Sequence, residues 1–217
     1  MPVDRFIAHA TDLLQRKGEL DDTYFIFYTD NGAHFGQHRF EHGKLQPYEE
    51  DVNFPLIVRG PGIPQGVVKR ELVGNHDIAP TLADMASADI PAFVDGRSFL
   101  QLAKDPTTSW PRTAILSERE TDRVPPNRWD MLRMRSTVYT RHENGVKEYY
   151  DLQKDPYQLH NAFRPDAPDT PPAPDSATTG YYEQRLDALY ACVGQQGPGS
   201  CGEAEDAPLL PAGTTPR

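Results

Sequence analysis

The residues of this chain that could do chemistry are concentrated in one stretch, residues 23–44, with the sequence TYFIFYTDNGAHFGQHRFEHGK. An apolar segment ends there in Asp30, Asn31 and Gly32, and Lys44 closes the stretch. Carboxylate and amide oxygens are hard ligands that suit Ca²⁺ or Mg²⁺. A lysine beside them could neutralise an anionic group of a substrate. The stretch therefore predicts a site for a cation and an anion where a strand ends.

Each of these features also has a structural interpretation. Asp-Asn-Gly is a common turn sequence, and a lysine that follows a glycine is commonly a solvated surface residue. His34, His38 and His42 are spaced by four, which would align them on one helical face. The glycines between them interrupt such a helix and favour a loop. Composition alone leaves both interpretations open.

The surrounding elements indicate how the stretch is positioned. Residues 23–29 are apolar without polar alternation, which is typical of a strand covered on both faces in a mostly parallel sheet. Residues 3–17 repeat apolar side chains at helical spacing, and helix followed by buried strand predicts the α/β class. Further strands are expected at residues 54–59 and 67–73. Asp30 then lies beyond the carboxyl end of a strand, where open α/β sheets bind ligands.

The C-terminal part of the chain has a different pattern. Alternating segments surround Asn144-Gly145, which predicts an antiparallel hairpin in a small separate sheet, and a helix should follow near the C-terminus. The expected divisions are an α/β domain, the small sheet, a flexible proline-rich linker, a terminal helix with a cysteine loop, and a disordered tail. Their boundaries are 1–110, 111–163, 164–180, 181–201 and 202–217.

The overall charge argues against some partners. The chain has 217 residues with 22 Lys and Arg against 32 Asp and Glu, a net charge of −10. This balance disfavours nucleic acid and anionic membranes as partners. No apolar run reaches the roughly 20 residues of a membrane span, and the N-terminus lacks the apolar core of a secretory signal.

The only cysteines are Cys192 and Cys201. They could form a local disulfide, which would indicate an oxidising compartment, or remain two free thiols. A zinc site is not expected, because no histidine lies near them.

Longer motifs carry a resemblance to a known family. DNGAHFGQHRFEHGKLQPYEEDVNFPLIVRGPGIPQG, then LVGNHDIAPTLADMA and DGRSFL, resemble the C-terminal half of the formylglycine-dependent sulfatases of the alkaline-phosphatase-like superfamily. LRMRSTVYTRHENGVKEYYDLQKDPYQLHNAF resembles the C-terminal sheet of that family. The matches cover residues 3–163 in the family's order. The resemblance implies a partial alkaline-phosphatase-like sandwich with a small C-terminal antiparallel sheet.

The resemblance also implies roles for particular residues. Asp30 and Asn31 match the pair that ligates the active-site cation, usually Ca²⁺, and Lys44 matches the lysine that contacts the sulfate. His38 lies in a Gly-x-His element close to that site and is assigned to substrate binding. Asp77 matches a position that is expected to be structural, as a helix cap.

One part of the family pattern is absent from these 217 residues. The formylglycine nucleophile is made from the Cys or Ser of a Cys/Ser-x-Pro-x-Arg motif, and no such motif occurs. The expectation is the C-terminal portion of a sulfatase, inactive alone, acting on a sulfate ester with an N-terminal half that is missing or separately encoded. A phosphate or phosphonate ester hydrolase fragment and a non-catalytic anion- or metal-binding module are the alternatives. A leader in the intact protein, together with the disulfide, would indicate an extracellular or periplasmic location.

Overall fold

The chain combines helices with two antiparallel sheets, and the computed structural model describes residues 2–120, 128–192 and 198–209. The helices are α1 (Pro2–Lys17), α2 (Glu49–Val52), α3 (Ile78–Met85), α4 (Leu100–Lys104), α5 (Ser176–Ala191) and α6 (Pro198–Asp206). The strands are β1 (Phe25–Tyr28), β2 (Leu56–Arg59), β3 (Ala114–Arg119), β4 (Trp129–Met134), β5 (Thr137–His142) and β6 (Lys147–Asp151). Among the described helices, none combines the length and hydropathy that a bilayer-spanning helix requires.

The first sheet pairs β1 with β2, as a two-stranded antiparallel ribbon. Phe25 lies opposite Arg59 and Tyr28 lies opposite Leu56. The parallel arrangement expected for these segments is therefore not observed between them. A parallel pair needs a crossover that returns the chain to the start of the first strand. Here the connection, residues 29–55, stays at the carboxyl end of β1 and enters β2 from that end.

The second sheet has the order β3-β4-β5-β6, with every neighbouring pair antiparallel. Gly145 has a φ of 84° in the turn between β5 and β6, so the predicted Asn-Gly hairpin is present. Helix α5 covers one face of this sheet, and its Leu186 and Tyr182 pack with Leu132 and Tyr139 of the strands. This cluster is the main apolar core of the C-terminal part.

The strand expected at residues 67–73 does not form. Val67 and Val68 are 45% and 79% exposed. A β-branched residue favours a strand when its side chain packs on a covered, pleated surface. Within the part of the chain that the structure describes, no such surface covers Val67 and Val68, so intrinsic preference alone did not produce a strand.

The C-terminal helices differ from the expected boundaries. Helix α5 begins at Ser176, where the Asp175 side chain accepts a hydrogen bond from the backbone N–H of Thr178 at 2.7 Å. Helix α6 extends to Asp206, into the region assigned to the tail, and residues 210–217 of that tail lie outside the described residues. Cys192 and Cys201 form a disulfide with a Cα–Cα distance of 5.2 Å, which joins the end of α5 to α6.

A buried charge cluster connects the two parts of the fold. The guanidinium of Arg112 donates from Nη2 to Asp77 Oδ1 at 2.9 Å and from Nε to Glu205 Oε2 at 2.9 Å. All three residues are at most 4% exposed. The carboxylate of Asp77 also accepts from the backbone N–H groups of Gly74 and Arg97, each at 2.9 Å. Asp77 does precede α3, but its carboxylate makes no cap bond to that helix and serves this cluster.

The environment of Glu205 controls its protonation. Burial alone would raise the pKa of its carboxyl group. The hydrogen bond with His76, the charge of Arg112 and the hydrogen bond from Arg97 outweigh burial and lower the pKa to about 2, from an ordinary 4.5. The carboxyl group therefore binds a proton less tightly in the folded chain than in the unfolded chain.

We expect this difference to make folding stability depend on acidity. Stability gained from Glu205 is fully present above pH 4.5 and is lost as the pH falls towards 2. The contribution is roughly 3 kcal/mol, since a pKa difference of one corresponds to about 1.4 kcal/mol. Urea unfolding at pH 7 and pH 3 should show most but not all of this loss in the unsubstituted chain, because pH 3 is still above the folded pKa, and a smaller loss in Glu205→Gln. Glu203→Gln, at an exposed position of α6, is the control, and equal losses in all three proteins would contradict the assignment.

Candidate functional site

Three of the predicted site residues, Asp30, Asn31 and Lys44, lie beyond the end of β1. Lys44 Nζ donates a hydrogen bond to Asn31 Oδ1 at 2.9 Å. Asp30 is exposed beside Asn31, and its backbone carbonyl accepts from Asn75 Nδ2 at 2.8 Å. Asp30 Oδ1 accepts from Thr29 Oγ1 at 3.3 Å. The carboxamide of Asn31 and the ammonium group of Lys44 are therefore in contact, and the exposed carboxylate of Asp30 belongs to the preceding residue.

The loop after Asn31 packs closely against α2. The backbone N–H of Gly32 donates to the carbonyl of Asp51 at 2.8 Å. A Cβ atom at Gly32 would lie 1.9 Å from the carbonyl oxygen of Glu50, far inside any normal contact. Gly32 is therefore required because the backbone of α2 approaches it too closely for a side chain. Its place in a turn does not by itself explain the glycine.

A buried histidine in the loop is hydrogen-bonded to a buried aspartate of α2. His34 and Asp51 are 5% and 4% exposed, and His34 Nδ1 lies 2.8 Å from Asp51 Oδ1. Because an ionised carboxylate only accepts hydrogen bonds, Nδ1 carries the proton and Nε2 is left as an acceptor if the ring is neutral. Asp51 Oδ2 also accepts from the backbone N–H of Gln46 at 2.7 Å. The backbone of His34 pairs with that of Gly43 through two hydrogen bonds of 3.0 and 3.1 Å.

His38 occupies a different environment from Lys44. Its ring stacks on Tyr48, with centroids 3.7 Å apart and an interplanar angle of 9°. His38 Nε2 lies 3.7 Å from Glu50 Oε2 and has no hydrogen-bond partner among the described residues. Burial, followed by the negative charge of Glu148, raises the pKa of the Tyr48 hydroxyl, so that ring stays neutral beneath the imidazole.

The described residues do not by themselves form a complete cation site. Within residues 2–120, 128–192 and 198–209, no group of three or more histidine, cysteine, aspartate or glutamate side chains is arranged to hold a metal ion. Ca²⁺ takes six to eight oxygen ligands, as a rule. Asp30 and Asn31 have suitable oxygens, but they could form only one side of such a shell.

The sequence matches the model of the sulfatase family over residues 1–88, a region that includes Asp30, Asn31 and Lys44. An N-acetylglucosamine-6-sulfatase from Capra hircus is 28% identical over 227 residues, which cover 89% of this chain and 39% of that protein. The chain therefore carries part of a sulfatase-family domain, over residues 1–88. An arylsulfatase from Chlamydomonas reinhardtii is 31% identical over 74% of this chain and 30% of its own length.

Solved structures support the fold of this chain. A protein crystallised with its substrate D-glucosamine-2-N,6-O-disulfate is 26% identical, with a TM-score of 0.70 over 86% of this chain and 37% of that chain. The phosphonate monoester hydrolase of Agrobacterium radiobacter is 25% identical, with a TM-score of 0.70 over 87% of this chain and 39% of that one. The α/β class and its alkaline-phosphatase-like relationship are thereby confirmed. The chain spans less than half the length of each of these relatives.

Sequence reasoning predicted Asp30, Asn31 and Lys44 as site residues, and the structure brings Asn31 and Lys44 together, but the contacts of Asp51 were not predicted. His34 was singled out as one of three histidines, and the structure gives it alone a buried carboxylate partner. Three consecutive acidic residues, Glu49 to Asp51, ordinarily indicate a solvated surface. A signal could have been the position of Asp51 among the apolar residues that precede β2.

We expect Gly32→Ala to disturb the loop, because its Cβ would collide with the Glu50 carbonyl oxygen. Inserting a methyl group into a tightly packed position typically costs about 1 to 3 kcal/mol, and backbone contact places this change at the upper end. Urea unfolding measures the loss. Gly180→Ala is the control, since nothing lies within 4 Å of its Cβ and alanine favours helix α5 by about 0.5 to 1 kcal/mol. Equal stability of the two variants would contradict the close approach.

Proposed function

We propose that this chain supplies the sulfate- and cation-contacting side of an active site that hydrolyses sulfate esters. The observation that carries the proposal is the hydrogen bond of 2.9 Å from Lys44 Nζ to Asn31 Oδ1, directly beside Asp30. These three residues lie within the region that matches the sulfatase family model. Their chemistry suits an anion that is bound jointly by an ammonium group and a divalent cation.

The charges of these groups fit the needs of S–O cleavage. The reaction places negative charge on the sulfate oxygens and on the leaving oxygen, and a fixed ammonium group stabilises that charge. Lys44 would contact a sulfate oxygen while Asn31 holds the ammonium in place. A Ca²⁺ or Mg²⁺ ion, ligated in part by Asp30 and Asn31, would supply further charge stabilisation when bound. His38 is a second proposed contact, because its Nε2 makes no hydrogen bond within the described residues.

The nucleophile is proposed to come from outside these 217 residues. They contain no Cys/Ser-x-Pro-x-Arg motif from which a formylglycine could be made. We therefore infer that the chain alone does not turn over sulfate esters. A separately encoded N-terminal half of a sulfatase is the proposed partner.

Exposed apolar surface on the chain supports the proposal that an N-terminal half binds to it. No residue of α1 is buried, and its Phe6 is 73% exposed. On the first sheet, Phe27, Tyr28 and Ile57 are 40%, 44% and 61% exposed. Apolar faces on neighbouring elements are a feature of protein interfaces.

A second candidate function is hydrolysis of phosphonate or phosphate esters. It is favoured by the fold match to the phosphonate monoester hydrolase, which is as close by TM-score as the match to the disulfate-bound protein. The ammonium and cation site would serve either anion. A non-catalytic anion-binding module remains the outcome if binding occurs and no added N-terminal half restores turnover.

We expect calorimetry of the purified chain with sodium sulfate, with and without CaCl₂, to detect sulfate binding. Lys44→Ala should weaken that binding by about tenfold or more, since hydrogen bonds to charged groups contribute about 1.5 to 3 kcal/mol. Lys154→Ala is the control, because the side chain of Lys154 is 85% exposed. Equal sulfate affinity in all three proteins would refute the assignment of Lys44.

We expect no hydrolysis of an aryl sulfate by the purified chain, because it lacks a nucleophile. Product release can be followed by absorbance, with Lys44→Ala as the background. Turnover by the unsubstituted chain above that background would overturn the inference that a second polypeptide is needed.

A further inference from the structure

The residue after Lys44 is bound by the C-terminal sheet. The backbone carbonyl of Leu45 accepts hydrogen bonds from Trp129 Nε1 at 3.0 Å and from Arg119 Nη1 at 3.2 Å. Arg119 is the last residue of β3, and Trp129 lies directly opposite it at the start of β4. Two donors from one end of the sheet thus converge on a single carbonyl in the site loop.

The backbone of Leu45 indicates that these contacts matter. Its φ is 88°, in a region that residues other than glycine seldom adopt. The Leu45 side chain is 48% exposed, so burial of that side chain does not explain the conformation. Unfavourable backbone conformations persist where surrounding contacts enforce them. The two hydrogen bonds to the Leu45 carbonyl are such contacts.

We propose that Trp129 and Arg119 are positioning residues for Lys44. By holding the Leu45 carbonyl, they fix the direction in which the chain leaves Lys44 and so place its ammonium group beside Asn31. The effect of this positioning on substrate binding rests on the proposed role of Lys44 in sulfate binding.

The other contacts of the segment make the proposal specific. Gly43 is paired with the backbone of His34, and the N–H of Gln46 is held by Asp51. The partners in these hydrogen bonds belong to the site loop and to α2. Between them, the carbonyl of Leu45 alone is bound by side chains of the C-terminal sheet. Trp129 is 4% exposed and packs with Met131 and Val138, so its indole N–H is a rigid donor.

The chain contains its own matched control. It has two tryptophans, and the other, Trp110, donates from Nε1 to the carbonyl of Leu72 at 2.8 Å. Trp129→Phe and Trp110→Phe therefore each remove one indole-to-carbonyl hydrogen bond, and only the first touches the Lys44 segment. Arg119→Ala removes the second donor at a half-buried position, which keeps the test available if Trp129→Phe fails to fold. Arg119→Lys retains a charged donor there.

Hydrogen exchange of the Gly43 and Gln46 amides provides the first measurement. We expect Trp129→Phe to reduce their protection by about threefold to tenfold, as the loss of one hydrogen bond predicts. Trp110→Phe should leave their protection unchanged, and Arg119→Lys should restore what Arg119→Ala loses. Unchanged protection in both Trp129→Phe and Arg119→Ala would overturn the proposal.

Sulfate affinity, measured by calorimetry with sodium sulfate, provides the second measurement. We expect it to fall by a similar factor in Trp129→Phe and Arg119→Ala, and to recover in Arg119→Lys. Reduced protection with unchanged sulfate affinity would overturn the proposal, because Lys44 would then be independent of Leu45. If the unsubstituted chain binds no sulfate, the proposed role of Lys44 fails, and the exchange comparison alone decides whether the sheet positions the segment.

Discussion

The way the chain folds depends on the buried guanidinium of Arg112, which is shielded from water. A buried guanidinium must have its N–H donors satisfied by the protein, because an unpaired buried charge is strongly destabilising. Asp77 and Glu205 provide that pairing from two distant parts of the sequence. The start of α3, the approach to β3 and the end of α6 are therefore held at one point. Replacement of Arg112 would remove the guanidinium that both carboxylates contact, although Glu205 would keep its ion pair with Arg97.

A second set of contacts connects the C-terminal sheet to the site loop. Arg133 of β4 binds Glu49 of α2 at 2.7 Å, and Val52 of α2 packs on the sheet beside Trp129. The carbonyl of Leu45 is bound by the same end of the sheet. The candidate site is thus supported by residues more than seventy positions away in the sequence. The small sheet acts as a structural support of the site, although none of its side chains was expected to take part.

The sequence predicted those features that depend on local pattern. The amphipathic helix at the N-terminus, the Asn-Gly hairpin and the position of Asp30, Asn31 and Lys44 after a strand all follow from residue types at short spacing. Contacts between residues that are distant in the sequence were not predicted. The antiparallel pairing of β1 with β2, the partner of Asp51 and the cluster around Arg112 each depend on residues that are brought together only by the complete fold. The absence of a strand at residues 67–73 has the same cause, because a strand requires a neighbouring surface that local preference does not reveal.

The disulfide between Cys192 and Cys201 acts on the charge cluster through chain entropy. Helix α6 carries Glu205 into the cluster, and the covalent link keeps α6 near the end of α5 even when its other contacts open. Closing a loop of this length removes roughly 2.5 to 3 kcal/mol of unfolded-chain entropy in the simplest treatment. The link thereby raises the effective local concentration of the Glu205 carboxylate around Arg112. Reduction of the disulfide would therefore weaken the hold of α6 on the second counter-charge of Arg112.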